Sequence, residues 1–347
     1  MEIYMDNAAT TAVRPEIAEA LMPYLTEIYG NPSSIHSIGQ KGKRALEKAR
    51  TQIADILEAE PREIYFTSGA TESNNLAIKG YALANQDRGL HLITSSIEHH
   101  AALYVFKQLE KQGFEVTYLP VDQYGLIDPE AVKDAIREDT ILISIMLANN
   151  EIGTLEPLAE ITKLARERGV AVHTDAVQAV GKVPVSVREL DVDMLSFTGH
   201  KIYGPKGVGA LYKREGIKVS PLFEGGHQER MLRPGTQNVA GAVGLAKALH
   251  LAVDEMPEKS KELTALRDHL EKEIMSALNK VTINGHPEKR VPGITSLNFA
   301  YIEGEALLLA LDTKGIALST SSACSADSDE PSHVLTAIGL DPVRARV

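Results

Sequence analysis

A single cysteine, Cys324, stands in a chain of 347 residues, and one thiol cannot close a disulfide within the chain. No apolar run opens the N-terminus, so neither a signal peptide nor a membrane span is expected, and with the lone thiol this favours a cytoplasmic location. Positive charge is in short supply. Lys and Arg number 36 against 47 Asp and Glu, a net charge of −11, which argues against a broad basic surface that holds nucleic acid directly. Neither a cysteine pair nor a His-Glu-x-x-His helix accompanies the histidines, so His99-His100 and His173 with Asp175 are weak metal-ligand candidates and no metal is expected. If His99 and His100 lie on a strand they point to opposite faces and cannot share an ion. Internal repeats, low-complexity tracts and a flexible interdomain linker are missing too.

What is present reads as an α/β enzyme. Runs such as Ile141–Met146 and Val170–Val172 lack clean alternation, as strands covered on both faces do, and helical stretches such as Ala159–Arg166 separate them. Alternating strands and helices predict a mostly parallel central sheet with helices on both faces. At roughly 150 residues per domain the length allows two domains. A charged amphipathic stretch from about Lys259 to Asn279 leads to Val281–Ile283 and Ile294–Phe299, a smaller α+β domain.

Lys201 interrupts an apolar, glycine-rich passage, Met194 to Gly209. An amine that loses hydration there has a lowered pKa and can attack a carbonyl to form a Schiff base; a solvated loop lysine is the alternative, and it suits Lys206 better. The run Val170-Ala171-Val172-His173-Thr174-Asp175 reads as a short buried strand ending in an acid. Ligands bind at the carboxyl ends of strands in open α/β sheets, which brings Asp175 to the same rim as Lys201. A lysine for the aldehyde and a carboxylate for the ring nitrogen are what pyridoxal phosphate requires, although a lone strand-end aspartate is more often a cap or a salt-bridge partner. The passage Tyr65-Phe66-Thr67-Ser68-Gly69-Ala70-Thr71 stops a β-rich run before a helical pattern, so free NH groups at Ala70 and Thr71 can face an anion.

At this point the chain resembles the fold-type I pyridoxal phosphate enzymes of the class V aminotransferase group, and within them the cysteine desulfurases related to IscS and NifS. The residues that carry the resemblance run in family order: Asp6–Thr11, Gly30–His36, Phe66–Asn75, Glu98-His99, Asn149–Gly153, Asp175–Gln178, Gly199-His200-Lys201 and Arg233–Thr236. The resemblance implies that Lys201 is the Schiff-base lysine and Asp175 the partner of the pyridinium nitrogen. By the same token Gln178, about a turn beyond Asp175 if a helix starts there, donates to the phenolic oxygen. His99 stacks on the ring and carries protons, and Asn150 lies near substrate and cofactor. Ala70, Thr71, Thr198 and His200 match the phosphate cradle, and Thr236 a phosphate contact from the second subunit of a homodimer. Residues 14–256 then form the large cofactor-binding domain, and 1–13 with 257–347 the small domain that carries the catalytic cysteine loop.

Cys324 decides the reaction within the family. It lies in Ser321-Ser322-Ala323-Cys324-Ser325-Ala326-Asp327-Ser328-Asp329-Glu330-Pro331-Ser332, small and polar, so an exposed thiolate is expected rather than a buried core thiol, with roughly Ser321 to Ser332 loosely held. By resemblance the IscS/NifS-like branch uses such a cysteine to take sulfur from L-cysteine as a persulfide, which releases L-alanine. The sulfur then passes to an acceptor protein, an iron–sulfur scaffold or a tRNA-thiolating enzyme that does the RNA binding itself. A class V aminotransferase that does not need Cys324, and a non-catalytic scaffold subunit, are the alternatives. One departure stands out: relatives continue past the position of Val347 with a Ser-Ile-Arg-like segment whose arginine grips the substrate carboxylate. Neither Arg344 nor Arg346 takes over that role, which leaves open a longer protein or a truncated form with impaired substrate binding.

Overall fold

The computed structural model describes residues 2–320 and 331–341. Among them the strands are β1 (Ile3–Tyr4), β2 (Ile64–Thr67), β3 (His91–Ser95), β4 (Glu115–Leu119), β5 (Thr140–Ser144), β6 (Ala171–Asp175), β7 (Met194–Thr198), β8 (Gly209–Lys213), β9 (Val281–Asn284), β10 (Ser296–Phe299) and β11 (Ile316–Ala317). Strands β2 to β8 form one sheet in the order β2-β8-β7-β6-β5-β3-β4, in which β8 pairs antiparallel with both neighbours and the other pairings are parallel. The carboxyl ends of the parallel strands therefore share one edge.

Alternate residues of these strands enter different cores. Phe66, Ile93, Val172 and Leu195 join one hydrophobic cluster, and Tyr65, Leu92, Ala171 and Met194 the other. Each face thus has its own cover, which is why the strands read as continuous apolar runs. Each side chain of the size of Ile93 contributes about 1.5–3 kcal/mol on full burial. In the helix Leu158–Glu167 the buried residues Leu158, Ile161, Thr162 and Ala165 recur at helical spacing and give one face to the core.

The free edge of β2 is closed by charge. Arg50, from the helix Ser37–Leu57, donates to Ile64 O at 2.6 Å and grips Glu229 with two bonds of 2.8 Å, while Phe66 N donates to the same carboxylate at 2.9 Å. Strand-edge groups that could pair with another chain are thereby used within this one. The loop that supplies Glu229 is held in the left-handed region at three consecutive residues, Glu229, Arg230 and Met231, with φ of 43°, 54° and 68°.

The helix Val239–Ala277 runs 39 residues without interruption, with Pro257 inside it. Its first turns, from Val239 to Leu249, are mostly buried and pack on the helix Ser37–Leu57; farther along it contacts β9. The helix thus begins twenty residues before the stretch expected from the charge pattern, because its first part is apolar rather than amphipathic. Two small sheets complete the described chain, β9 with β10 antiparallel and β1 with β11 parallel. No helix among the described residues is long and apolar enough to cross a membrane.

Candidate active site

A cavity of about 510 Å³ opens at the carboxyl edge of the large sheet. Ala70, Thr71, His99, Asn150, Asp175, Gln178, Thr198, His200 and Lys201 all line it. Residues separated by as many as 131 positions meet there because β2, β3, β5, β6 and β7 end side by side.

After β2 the chain turns through Gly69, at φ 155° and ψ 179°, a conformation essentially restricted to glycine. Across from it, a Cβ on Gly209 of β8 would lie 2.8 Å from the Gly69 backbone, so two glycines let the strand and the cradle touch. The helical turns from Ala70 onward leave amide groups facing the cavity, and Glu72 braces the turn by accepting from Ser68 N at 2.8 Å and from Arg233 at 2.8 Å. Thr198 ends β7 and donates to Val208 O at 3.0 Å. His200 Nδ1 lies 3.2 Å from Thr10 Oγ1, and burial, followed by repulsion from Lys201, pushes its pKa down to about 4.

Asp175 is the last residue of β6 and is buried. Its Oδ2 accepts from Asn74 Nδ2 at 2.6 Å and its Oδ1 from Val177 N at 3.0 Å. Beyond it the chain runs in hydrogen-bonded turns, Ala179 N to Ala176 O and Val180 N to Ala176 O, where the sequence left a helix open. Gln178 still faces the cavity, from a turn. His99 and His100 likewise do not lie on a strand: β3 ends at Ser95, His99 caps the helix His100–Glu110, and their rings are tilted with centroids 6.3 Å apart. His99 Nδ1 accepts from Ala101 N at 3.1 Å, which leaves Nε2 to carry the proton of the neutral ring. Burial lowers the pKa of His99, and nearby Asp175 opposes the shift.

Lys201 Nζ donates to Ala8 O at 2.5 Å and Ala9 O at 2.6 Å, in the segment that follows β1. His173, weighed above as a metal ligand, is engaged on both nitrogens, by Ser144 Oγ at 2.8 Å and Ser196 Oγ at 3.0 Å on neighbouring strands. Among the described residues no group of three or more His, Cys, Asp or Glu side chains is arranged to hold a metal ion.

Thr236 is exposed and does not line the cavity. Cys324 lies outside the described residues, but the chain on either side of it reaches the site. Ser319 lines the cavity and donates to Asp6 Oδ1 at 2.7 Å; Ser332 donates to Glu151 Oε2 at 2.5 Å, and His333 Nε2 lies 2.8 Å from Glu98 O. Ser332, expected at the end of a loosely held stretch, is instead buried because its hydroxyl bonds Glu151 and caps the next helix.

Sequence reasoning passes over several residues. Asn74 has no role assigned within the Phe66–Asn75 motif, yet it holds Asp175. Glu98 joins the ends of two strands by accepting from Ser95 Oγ at 2.6 Å and from Met146 N at 2.9 Å; burial raises its pKa to about 8. The only signal for either is its place inside a dense polar motif.

The family described as class-V aminotransferase matches residues 3–345. A cysteine desulfurase IscS from Methanosarcina thermophila is 57% identical over 338 residues, which is 97% of this chain and 83% of that one. Among solved structures, a NifS-like protein superposes with a TM-score of 0.94 at 41% identity, covering 100% of this chain and 92% of the other. A structure titled SspA in complex with cysteine does so with a TM-score of 0.88 at 40% identity, over 100% and 96% of the two chains. The chain belongs to the class-V aminotransferase family and, within it, to the cysteine desulfurases.

Proposed function

We propose that this cavity holds pyridoxal 5'-phosphate on Lys201 and that the protein converts L-cysteine to L-alanine, leaving the sulfur as a persulfide on Cys324. The observation that carries the reading is the meeting of Lys201, Asp175, Gln178 and Asn150 in one cavity at the strand ends. The residues fit the cofactor. Besides an amine and a buried acid, the walls include a cradle at Gly69, whose backbone conformation a residue with a side chain would strain, and the amide side chains of Asn74, Asn150 and Gln178.

Each residue then has a task its position suits. Lys201 would hold the aldehyde, and its Nζ is an amine the cavity offers as a base for the substrate α-proton. Asp175, fixed by Asn74 and Val177, keeps a protonated ring nitrogen in place. Ala70, Thr71, Thr198 and His200 take the phosphate, Gln178 donates to the phenolic oxygen, and His99 covers the ring and carries a proton at Nε2. When bound, the cofactor supplies the electron sink for carbanion chemistry. The atoms balance without an outside oxidant: the C–S bond of cysteine breaks, an S–S bond forms at Cys324 Sγ, and the carbon takes up a proton to become alanine. Cys324 is five residues past Ser319, and five extended residues span at most about 18 Å, so the thiol is tethered within reach of the cavity that Ser319 lines.

In this reading residues 14–256 are the cofactor-binding domain and 1–13 with 257–347 the small domain. Thr236 serves the site of a second copy in a homodimer. Persulfide sulfur passes in the cytoplasm to an iron–sulfur scaffold or a tRNA-thiolating enzyme. The test is alanine and sulfide released from L-cysteine, with and without a reductant. Equal alanine and reductant-dependent sulfide are expected, and Cys324→Ser should keep the visible absorbance of bound cofactor while losing persulfide. Turnover that requires a keto acid, or sulfur transfer by the Cys324→Ser protein, would contradict the reading.

A further inference from the structure

A second buried lysine stands behind the site. Lys182 Nζ donates to Gln178 Oε1, Gln178 Nε2 donates to Ala8 O at 3.0 Å, and Ala8 O also accepts from Lys201. The two lysines are thus joined through one amide and one carbonyl. Lys182 is absent from the wall of the cofactor cavity but lines a neighbouring cavity of about 470 Å³, to which Lys201 and Ala8 also contribute. Its backbone is fixed at several points: Lys182 N donates to Ala179 O at 2.9 Å, and Ser260 Oγ donates to Lys182 O at 3.2 Å. Gly181 before it, at φ 75°, is pressed so closely that a Cβ there would lie 2.9 Å from Ala252 Cβ and 3.0 Å from Ile202 Cγ2. The turn is therefore seated against both the long helix and the segment that carries Lys201.

These partners leave the Gln178 amide one orientation. An ammonium only donates and a carbonyl only accepts, so the amide oxygen must face Lys182 and the nitrogen must face Ala8. The nitrogen carries two hydrogens, and the one not given to Ala8 remains for the cofactor cavity that Gln178 lines. Without Lys182 only the Ala8 carbonyl opposes a turn of the amide that brings its oxygen inward, where an anionic oxygen would meet an acceptor. The surrounding charges do not substitute for this contact. Glu255 is gripped by Arg14 at 2.8 Å and Glu262 by Lys259 at 2.8 Å, while Lys201 and His200 face Lys182 from the turn after β7.

We propose that Lys182 is a positioning residue of the active site, which holds the Gln178 amide with its nitrogen toward the cofactor's phenolic oxygen. The proposal rests on the cofactor reading of Lys201. Burial, with repulsion from Lys201 second, pushes the Lys182 pKa down to about 7, so its hold on the amide can itself vary near neutral pH.

The test is the pH titration of the visible band of cofactor-loaded protein, with borohydride trapping run in parallel. Lys182→Met should raise the apparent midpoint by half a unit or more, because the phenolic oxygen loses a donor, whereas Lys182→Arg should stay at the wild-type midpoint. In a Gln178→Ala background Lys182→Met should add nothing, since the lysine acts through the amide. A Lys182→Met titration that superimposes on wild type overturns the proposal, and so does an equal shift in both backgrounds. Trapping at Lys201 in all variants keeps either failure distinct from a failure of the cofactor reading. If Lys182→Met does not fold, wild-type protein without cofactor, 15N-labelled at glutamine, probes the same contact: the Gln178 side-chain amide signal should move as Lys182 loses its proton. A signal that stays unchanged over the whole pH range in which the protein is folded overturns the proposal.

Discussion

The large sheet and the two small sheets place their residues in opposite ways. Every residue of β3, β5, β6 and β7 is buried, whereas both residues of β1 are exposed and β9 exposes Thr282 and Ile283. Burial on two faces fixes a strand end from all sides, and five such ends, those of β3, β5, β6 and β7 and of the equally buried β2, carry the residues assigned above to the cofactor. The small sheets have little apolar cover, and Ser319 gains its position next to Asp6 from a single side-chain bond. Rigid placement thus belongs to the ends of the doubly covered strands, and the small sheets leave residues of β1 and β9 open to solvent.

The largest effect to be expected on the sheet side is that of Lys201→Ala, which should abolish both the visible band of the bound cofactor and alanine formation. Retention of the band would break the comparison at its centre. Next, Arg50→Ala leaves Glu229 charged and buried at the edge of β2, which should cost about 3–5 kcal/mol in denaturant unfolding. The matching change in the small part, Leu309→Ala, removes a side chain that is 63% exposed and should stay within about 0.5 kcal/mol. Similar losses for the two would show that the regions do not differ as described.

A further effect concerns pH. Glu98 titrates near 4.5 when unfolded and at about 8 when folded, so the neutral acid favours the folded state, and its contribution is complete below about pH 4.5 and lost as pH rises through 8. Glu151 and Glu156, raised by burial to about 7 and about 8, act in the same direction. The contribution of these three acids to thermal stability should therefore fall from about pH 5 to 9. It runs against the opposite pull of Lys182 and His200, whose lowered values favour the folded state as pH rises, and Glu98→Gln should remove part of that fall. A slope as steep as in the wild type would remove Glu98 from the account.

Lys201 and Asp175 are legible in the sequence as charged residues at or just beyond the end of apolar runs; a strand-end aspartate alone is more often a cap or an ion-pair partner, and it is the two together that suit one cofactor. The strands themselves are legible for the same reason they are rigid: two covered faces leave a continuous apolar run. Lys182, Asn74 and Glu98 are not, since what gives them a role is a partner elsewhere, as with Asn74 and Asp175 across 101 positions. The start of the long helix is hidden because its first third is apolar on every side and carries no helical stripe.

The central claim is that the strand ends converge on Lys201 as the residue that holds the cofactor. Borohydride reduction of the cofactor-loaded protein, followed by peptide mass spectrometry, tests it most directly. The reduced cofactor should be found on Lys201 alone, in a peptide that includes His200. An adduct on Lys182 or Lys259, the other lysines of the adjoining cavity, or on any lysine away from the sheet edge would contradict it.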